Sequence, residues 1–361
     1  MTVVLAVGTS KGLFLATSTD DRKTFDVSGP HFPMNAIYAV GMDKRRARPR
    51  LLASVTSSHF GPSVATSDDL GASWREPDQA PLAFPSDTEV SLERVWQFAP
   101  GPAGEPDLVY AGTQPSALFR SVDGGQTYEI VRALWDHPHR EHWGAGFGGQ
   151  AIHTVLPHPT DPAQVLVAMS TGGVYRTVDG GAGWSPGNTG IHARYSPDPW
   201  PEYGQCVHKV ARDPVEADRL YAQVHHGVYR SDDGGSAWQS IAGGLPSDFG
   251  FPIVAHPHRA GVIYNFPLTA DGERFPVDQR CRVYRSSDAG ATWEALDSGL
   301  PEEPCYATVL RDAMAADDCD TAGVYFGTRT GEVFASRDEG DSWSQVAAHL
   351  PDVLCVRAME V

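Results

Sequence analysis

Apolar residues in this chain come in short runs rather than at helical spacing. Val165–Met169 reads VLVAM, a glycine turn and the run GVYR at 173–176 follow it, and AIHTVL at 151–156 precedes it. Short β-branched and aromatic runs bounded by Gly, Pro and Asp predict strands. The same succession returns along the chain, each time with one octapeptide, Ser/Thr-x-Asp-x-Gly-x-Ser/Thr-aromatic. Its copies are SDDLGASW at 67–74, SVDGGQTY at 121–128, TVDGGAGW at 177–184, SDDGGSAW at 231–238, SSDAGATW at 286–293 and SRDEGDSW at 336–343. A weaker copy, STDDRKTF at 18–25, has Arg22 where the others have glycine. The aspartates stand at 20, 69, 123, 179, 233, 288 and 338, in steps of 49, 54, 56, 54, 55 and 50 residues. Such a period signals a solenoid, a propeller or an array.

Each repeat holds four predicted strands, A to D, with the octapeptide as the C–D turn. Its Asp and Ser/Thr side chains suit local backbone N–H groups, its glycine suits a positive φ, and its aromatic suits packing between sheets. Seven four-stranded units predict an all-β fold, a seven-bladed β-propeller spanning 1–361 as a single domain. The first repeat has strands at 3–7, 12–16 and 24–27 but no A strand, and one strand, 353–361, is left over at the other end. That strand is predicted to complete the first blade and remove two open sheet edges.

Composition narrows the classes of partner. Lys and Arg total 28 against 45 Asp and Glu, so the net charge is 28 − 45 = −17. A chain this acidic repels phosphate backbones and anionic lipid, which predicts no nucleic-acid and no membrane partner. No apolar stretch reaches the ~18 residues of a membrane span, and the N-terminus has no basic segment of a secretion signal. The five widely spaced cysteines then read as thiols in a reducing, cytoplasmic compartment.

The octapeptides are Asp-boxes, or BNR repeats, and on them the whole chain resembles the sialidase-like Asp-box propeller superfamily. The resemblance implies the propeller fold and structural boxes on the face away from the active site. It covers sialidases, xyloglucan-cleaving glycosidases, sorting receptors and photosystem assembly factors, and so implies no single activity. Sialidases carry an Arg-Ile-Pro segment before the first box and three arginines that clamp a carboxylate. Here the segment is Gly8-Thr9-Ser10-Lys11-Gly12, with no arginine before Arg22, so sialidase activity is not expected.

Alternating strand direction sorts the connections onto two faces. The A–B turns, including the basic run Lys44, Arg45, Arg46, Arg48 and Arg50, are expected to be solvated. The long D–A connections 75–91, 129–150 and 185–205, and the B–C connection 268–281, fall on the other face, where binding usually resides. Aligning the repeats puts His153 and His208 at equivalent inner-strand positions, with Tyr38, Trp96, Phe251 and Ala307 or Tyr306 as counterparts. The expected catalytic groups are His153, His208, Glu93, Glu202 and Tyr203, since imidazoles and carboxylates move protons near neutral pH. Arg94, Trp96, Arg140, Trp143, Arg194 and Trp200 are the expected substrate contacts. Cofactors are none for certain. A divalent transition metal is the one the residues admit, with His153, His208 and His142 as ligands. The function expected is glycoside hydrolase-like action on a carbohydrate or other small polar molecule at this mouth. The alternative is a non-catalytic binding or assembly propeller. Oligomeric state is not expressed in the sequence.

Overall fold

The local chemistry of the octapeptide accounts for the turn it makes. In the copy at 121–128, Ser121 Oγ donates to Asp123 Oδ1 (2.7 Å) and accepts from the Gly125 amide (2.8 Å). Asp123 accepts from the amide and the hydroxyl of Thr127, at 3.0 and 2.6 Å. Every bond lies within the motif, so the turn forms wherever the sequence recurs. The glycine at its fifth position has φ between 85° and 99° in six copies, where a side chain costs about 1–3 kcal/mol. In the copy at 18–25, Arg22 takes φ 60° instead, and its amide still reaches Ser18 Oγ at 2.9 Å. The Arg22 guanidinium is buried and paired with Asp317 at 3.2 Å, a contact no glycine makes.

The computed structural model of the chain describes residues 1–146 and 149–361. Its strands form seven antiparallel sheets, and the fold is an all-β, seven-bladed β-propeller. The only α-helix among the described residues is Arg132–Trp135, and no helix among them is long and apolar enough to cross a membrane.

The chain divides into two compact units. The first comprises residues 1–33, 189–200 and 208–361 and carries four sheets. Blade one runs Val353–Glu360, Val3–Thr9, Gly12–Ser18, Asp26–His31, so the last strand lies beside the first, with Leu5 opposite Ala358. Blade five runs Val207–Arg212, Leu220–Val224, Gly227–Ser231, Gln239–Ser240. Blade six starts at Phe249–Ala255 and Ile263–Leu268, blade seven at Met314–Ala316 and Val324–Gly327. The core of this unit joins Leu5, Val7, Tyr264, Phe266, Phe326, Trp343 and Val356. Trp343, the aromatic of its octapeptide, packs edge-on to Phe326 at 5.2 Å, and Trp293 donates to the Ile241 carbonyl at 2.8 Å. Trp343 thus packs on its own sheet, and Trp293 ties its sheet to the preceding one.

The second unit comprises residues 34–188 and 201–207 and carries blades two to four. Val165–Met169 is buried at every position, which is why the run is continuously apolar rather than alternating. Its core gathers Tyr110, Leu134, Trp143, Ile152, Val167, Tyr175 and Trp184.

Several expectations need correcting. Blade two holds three strands, Ala36–Asp43, Arg50–Ser57 and Gly61–Ser67. Its fourth position is a single bridge between Thr66 and Arg75, because Pro77 and Pro81 in the following segment lack the N–H a ladder needs. The inner strand of blade seven begins at Met314, so Tyr306 and Ala307 precede it rather than forming it. The basic run is a solvated turn only in part: Lys44 and Arg48 are exposed, whereas Arg45 and Arg50 are spent on protein partners. Arg45 donates to the carbonyls of Gly101, Glu105 and Leu108 and pairs with Asp43. Arg50 is buried between Asp68 and the Gly124 carbonyl. Guanidinium groups present five donors, and here they satisfy turn carbonyls of the neighbouring sheet.

Candidate functional site

The inner strand of blade five puts His208 under the turn that ends the second strand of the same blade. Its ring is nearly fully buried, and Nδ1 lies 2.6 Å from the Gly250 carbonyl oxygen. A carbonyl only accepts, so Nδ1 carries the proton and Nε2 is left with its lone pair. Burial pushes the His208 pKa down to about 3, against the pull of the Gly250 carbonyl, and the ring is neutral at physiological pH. Phe251 and Phe249 wall it at 4.9 and 5.7 Å.

Val224 ends the second strand, and the turn beyond it presents His225 and His226. The His225 ring meets His208 at 5.4 Å, nearly perpendicular, and Phe249 at 5.3 Å. Its Nε2 faces Asp271 Oδ2 at 3.5 Å. Burial lowers the His225 pKa, with Asp271 and Asp248 pulling the other way. The same two carboxylates act on His226, whose pKa burial and the His225 charge lower. Asp248 is held from the other side by Arg194 at 3.0 Å. Tyr195 stands at 6.0 Å from His225 and 5.9 Å from His226, and is exposed. Trp200, 60% exposed, leans on His192 at 4.7 Å. The first unit therefore gathers neutral imidazoles, two carboxylates and exposed aromatic rings.

The expected residues of the second unit fall into two groups. Gln114 collects the first: its amide donates to Glu93 (2.6 Å) and accepts from Trp96 (3.1 Å) and Arg94 (3.4 Å). The Arg94 guanidinium lies over Tyr38 at 4.9 Å. The second surrounds Tyr175, whose hydroxyl meets Trp143 Nε1 and His139 Nδ1, each at 3.0 Å. Tyr203 stacks on His139 at 4.0 Å, with His142 at 6.2 Å. Arg140 covers the face of Trp135, Glu202 is exposed, and Trp143 is buried. His153 is fully buried near Thr154. His153 and His142 thus belong to the second unit and His208 to the first. The roll of expected catalytic and binding residues omitted His225, His226, Asp248 and Asp271. The adjacent histidines at the end of a second strand were the available signal; the acids that face them lie in separate loops.

No family model matches the chain. Among curated proteins it is 24% identical over 205 residues to a xyloglucanase of Paenibacillus sp, covering 52% of this chain and 18% of that protein. It is 24% identical over 318 residues to an oligoxyloglucan-reducing end-specific xyloglucanase of Emericella nidulans, covering 83% and 32%. The chain spans a third or less of the length of these relatives. Among solved structures, an ancestral GH74 enzyme aligns at TM-score 0.59 and 19% identity, over 86% of this chain and 38% of that one. YCF48 from Cyanidioschyzon merolae aligns at TM-score 0.53 and 14% identity, over 87% of each chain. Both share the propeller fold.

Proposed function

We propose that the chain is an Asp-box-type propeller with glycoside hydrolase-like activity on a carbohydrate, worked at the cluster of the first unit. The observation that carries this reading is the placement of Asp271 3.5 Å from His225 and of Asp248 beside the same turn, where its carbonyl accepts from the Gly227 amide at 3.1 Å and its carboxylate pairs with Arg194. Glycoside hydrolysis needs two carboxyl groups flanking the scissile bond, one to protonate the leaving oxygen and one to activate water or attack. Asp271, exposed and 3.5 Å from His225, is placed where a leaving-group oxygen can reach it. Asp248, held by Arg194 at 3.0 Å, is suited to the partner that attacks or orients water. Tyr195 and Trp200 offer ring faces for the apolar side of a sugar. The sequence likeness to xyloglucanases supports the substrate class, and neutral β-linked glucans are the first choice among carbohydrates.

The experiment is a panel of aryl glycosides and xyloglucan oligosaccharides assayed with wild type, Asp248→Asn and Asp271→Asn. Turnover by wild type, with kcat reduced about 10²–10⁴-fold in each variant, is expected for acid–base groups. A folded wild type that turns over no member of the panel overturns the reading and leaves a binding propeller in its place. Turnover unaffected by both substitutions moves the chemistry elsewhere, first to Glu93 or Glu202 with Tyr203 and His153.

A further inference from the structure

Acid–base work by Asp248 and Asp271 leaves His208 without a task, although its ring is buried and fixed by the Gly250 carbonyl. We propose that His208 and His225, joined by the Cys206 thiolate, bind a borderline divalent cation of the zinc class. The proposal goes beyond the hydrolase reading and does not depend on it.

The geometry comes first. One ligand atom each from Cys206, His208 and His225 lie within 4.8 Å of one another, so small side-chain rotations bring all three to one cation at about 2.0–2.1 Å from nitrogen and about 2.3 Å from sulfur. Each ring is also held by its other nitrogen. The His208 Nδ1–H donates to the Gly250 carbonyl at 2.6 Å, which leaves Nε2 as the ligand atom. His225 Nε2 faces the Asp271 carboxylate at 3.5 Å, which leaves Nδ1. Metal-binding imidazoles are almost always anchored in this way, by a carbonyl or a carboxylate behind the ring. Two different acceptors doing so for two adjacent rings is what packing alone does not require. A histidine kept for packing has no need of a second, oriented lone pair.

The surroundings agree. Phe249 stands against both rings, at 5.7 and 5.3 Å, and fixes them without competing for the cation. The apolar wall also keeps water from weakening the bond between ligand and metal. Cys206 stands two positions before His208, the offset that returns a side chain to the same face of an extended chain. A thiolate beside two imidazoles selects zinc or copper over magnesium, calcium or manganese. Three protein ligands leave a fourth position for water or a substrate oxygen, the pattern of reactive rather than purely structural sites.

The test uses the full chain, stripped by dialysis against a chelator and titrated with Zn²⁺ and with Co²⁺ as the spectroscopic probe. Wild type is expected to bind one equivalent, with visible cobalt bands of tetrahedral intensity and a near-ultraviolet thiolate-to-cobalt band. His208→Gln and His225→Gln should each weaken binding at least ~100-fold, and Asp271→Asn ~10–100-fold through the anchoring bond. Cys206→Ser should remove the near-ultraviolet band and keep weaker visible ones. His225 is half-buried at a turn, so its glutamine variant decides the matter if the His208 variant does not fold, as judged by circular dichroism. Folded wild type that binds no stoichiometric metal overturns the proposal, as does unchanged affinity in folded His225→Gln. Retention of the near-ultraviolet band in Cys206→Ser removes the thiolate from the ligand set.

Discussion

In the segment 132–143, His137 and His139 sit among aromatic rings, whereas the histidines at 225–226 meet charges as well as rings. His137 and His139 lean on each other at 4.6 Å, His139 bonds Tyr175 and stacks on Tyr203, and Trp143 closes the group. Every polar atom named there points to another member of the same cluster. At the second turn, His225 and His226 face Asp248, Asp271 and Arg194, groups that solvent and a ligand can also reach. Composition is nearly the same in the two places. What differs is where the polar atoms are spent, and this separates a packing cluster from a reactive one.

The sharpest way to break the contrast is to remove one histidine from each side. His225→Ala should lower kcat by at least ~10²-fold, the range for a lost acid–base or ligand group, and leave the melting temperature nearly unchanged. His139→Ala should do the reverse, with full turnover per folded molecule and a lower melting temperature. If His139→Ala abolishes turnover and His225→Ala does not, the reactive cluster is in the second unit and the assignment of the two regions is inverted.

A second measurement reads the packing side alone. Tyr175 is fully buried, and its hydroxyl serves both Trp143 Nε1 and His139 Nδ1. Tyr175→Phe leaves both nitrogens without that partner, which costs about 1–3 kcal/mol. Denaturant unfolding should show the loss, and ligand affinity should not move. A Phe variant as stable as wild type means that water replaces the hydroxyl and that the cluster is more open than its distances suggest.

The contrast also explains what could be seen in the sequence. The octapeptide turns were legible because their bonds stay within four residues, as from Ser67 to Asp69 and from Asp69 to Ser73. A repeat that carries its own hydrogen bonds announces itself in any window that contains it. His153 and His208 were legible as equivalent inner-strand positions, since strand register is a short-range pattern too; their burial was not. The pairing of His225 with Asp271, and of Arg194 with Asp248, joins residues 46 and 54 positions apart across separate loops. No local pattern carries such pairs, and loop histidines in the 132–143 segment were as conspicuous as those at 225–226. The basic run shows the same limit: Arg45 and Arg50 find their carbonyl partners 50 or more positions away.

On the reactive side, the exposed rings offer a smaller effect. Trp200 rests on His192 and has little else to hold. Trp200→Ala should raise KM about tenfold, roughly 1.4 kcal/mol of uniform binding, with kcat and stability unchanged. A fall in kcat at constant KM would instead place Trp200 against the transition state.

The smallest effect is a pH dependence, and it belongs to the packing cluster. His137 Nδ1 accepts the His139 amide at 3.1 Å, capping the turn 138–142. Burial lowers the His137 pKa, and the His139 charge lowers it further. The unfolded chain therefore takes up a proton on His137 at a higher pH than the folded one does. Linkage then makes stability rise with pH across that interval, so the contribution of His137 is complete above about pH 6.5 and falls as the solution is acidified below it. A proton on Nδ1 also removes the lone pair that the His139 amide needs. Amide hydrogen exchange, corrected for the intrinsic pH dependence, should show faster opening of residues 138–143 at pH 5.5 than at pH 7.5. His137→Asn keeps an acceptor at the cap but no titrating ring, and should flatten the difference. A pH effect of the same size in His137→Asn assigns it to His139 or His142 instead, and the turn would then be gated from its solvent side rather than from its buried one.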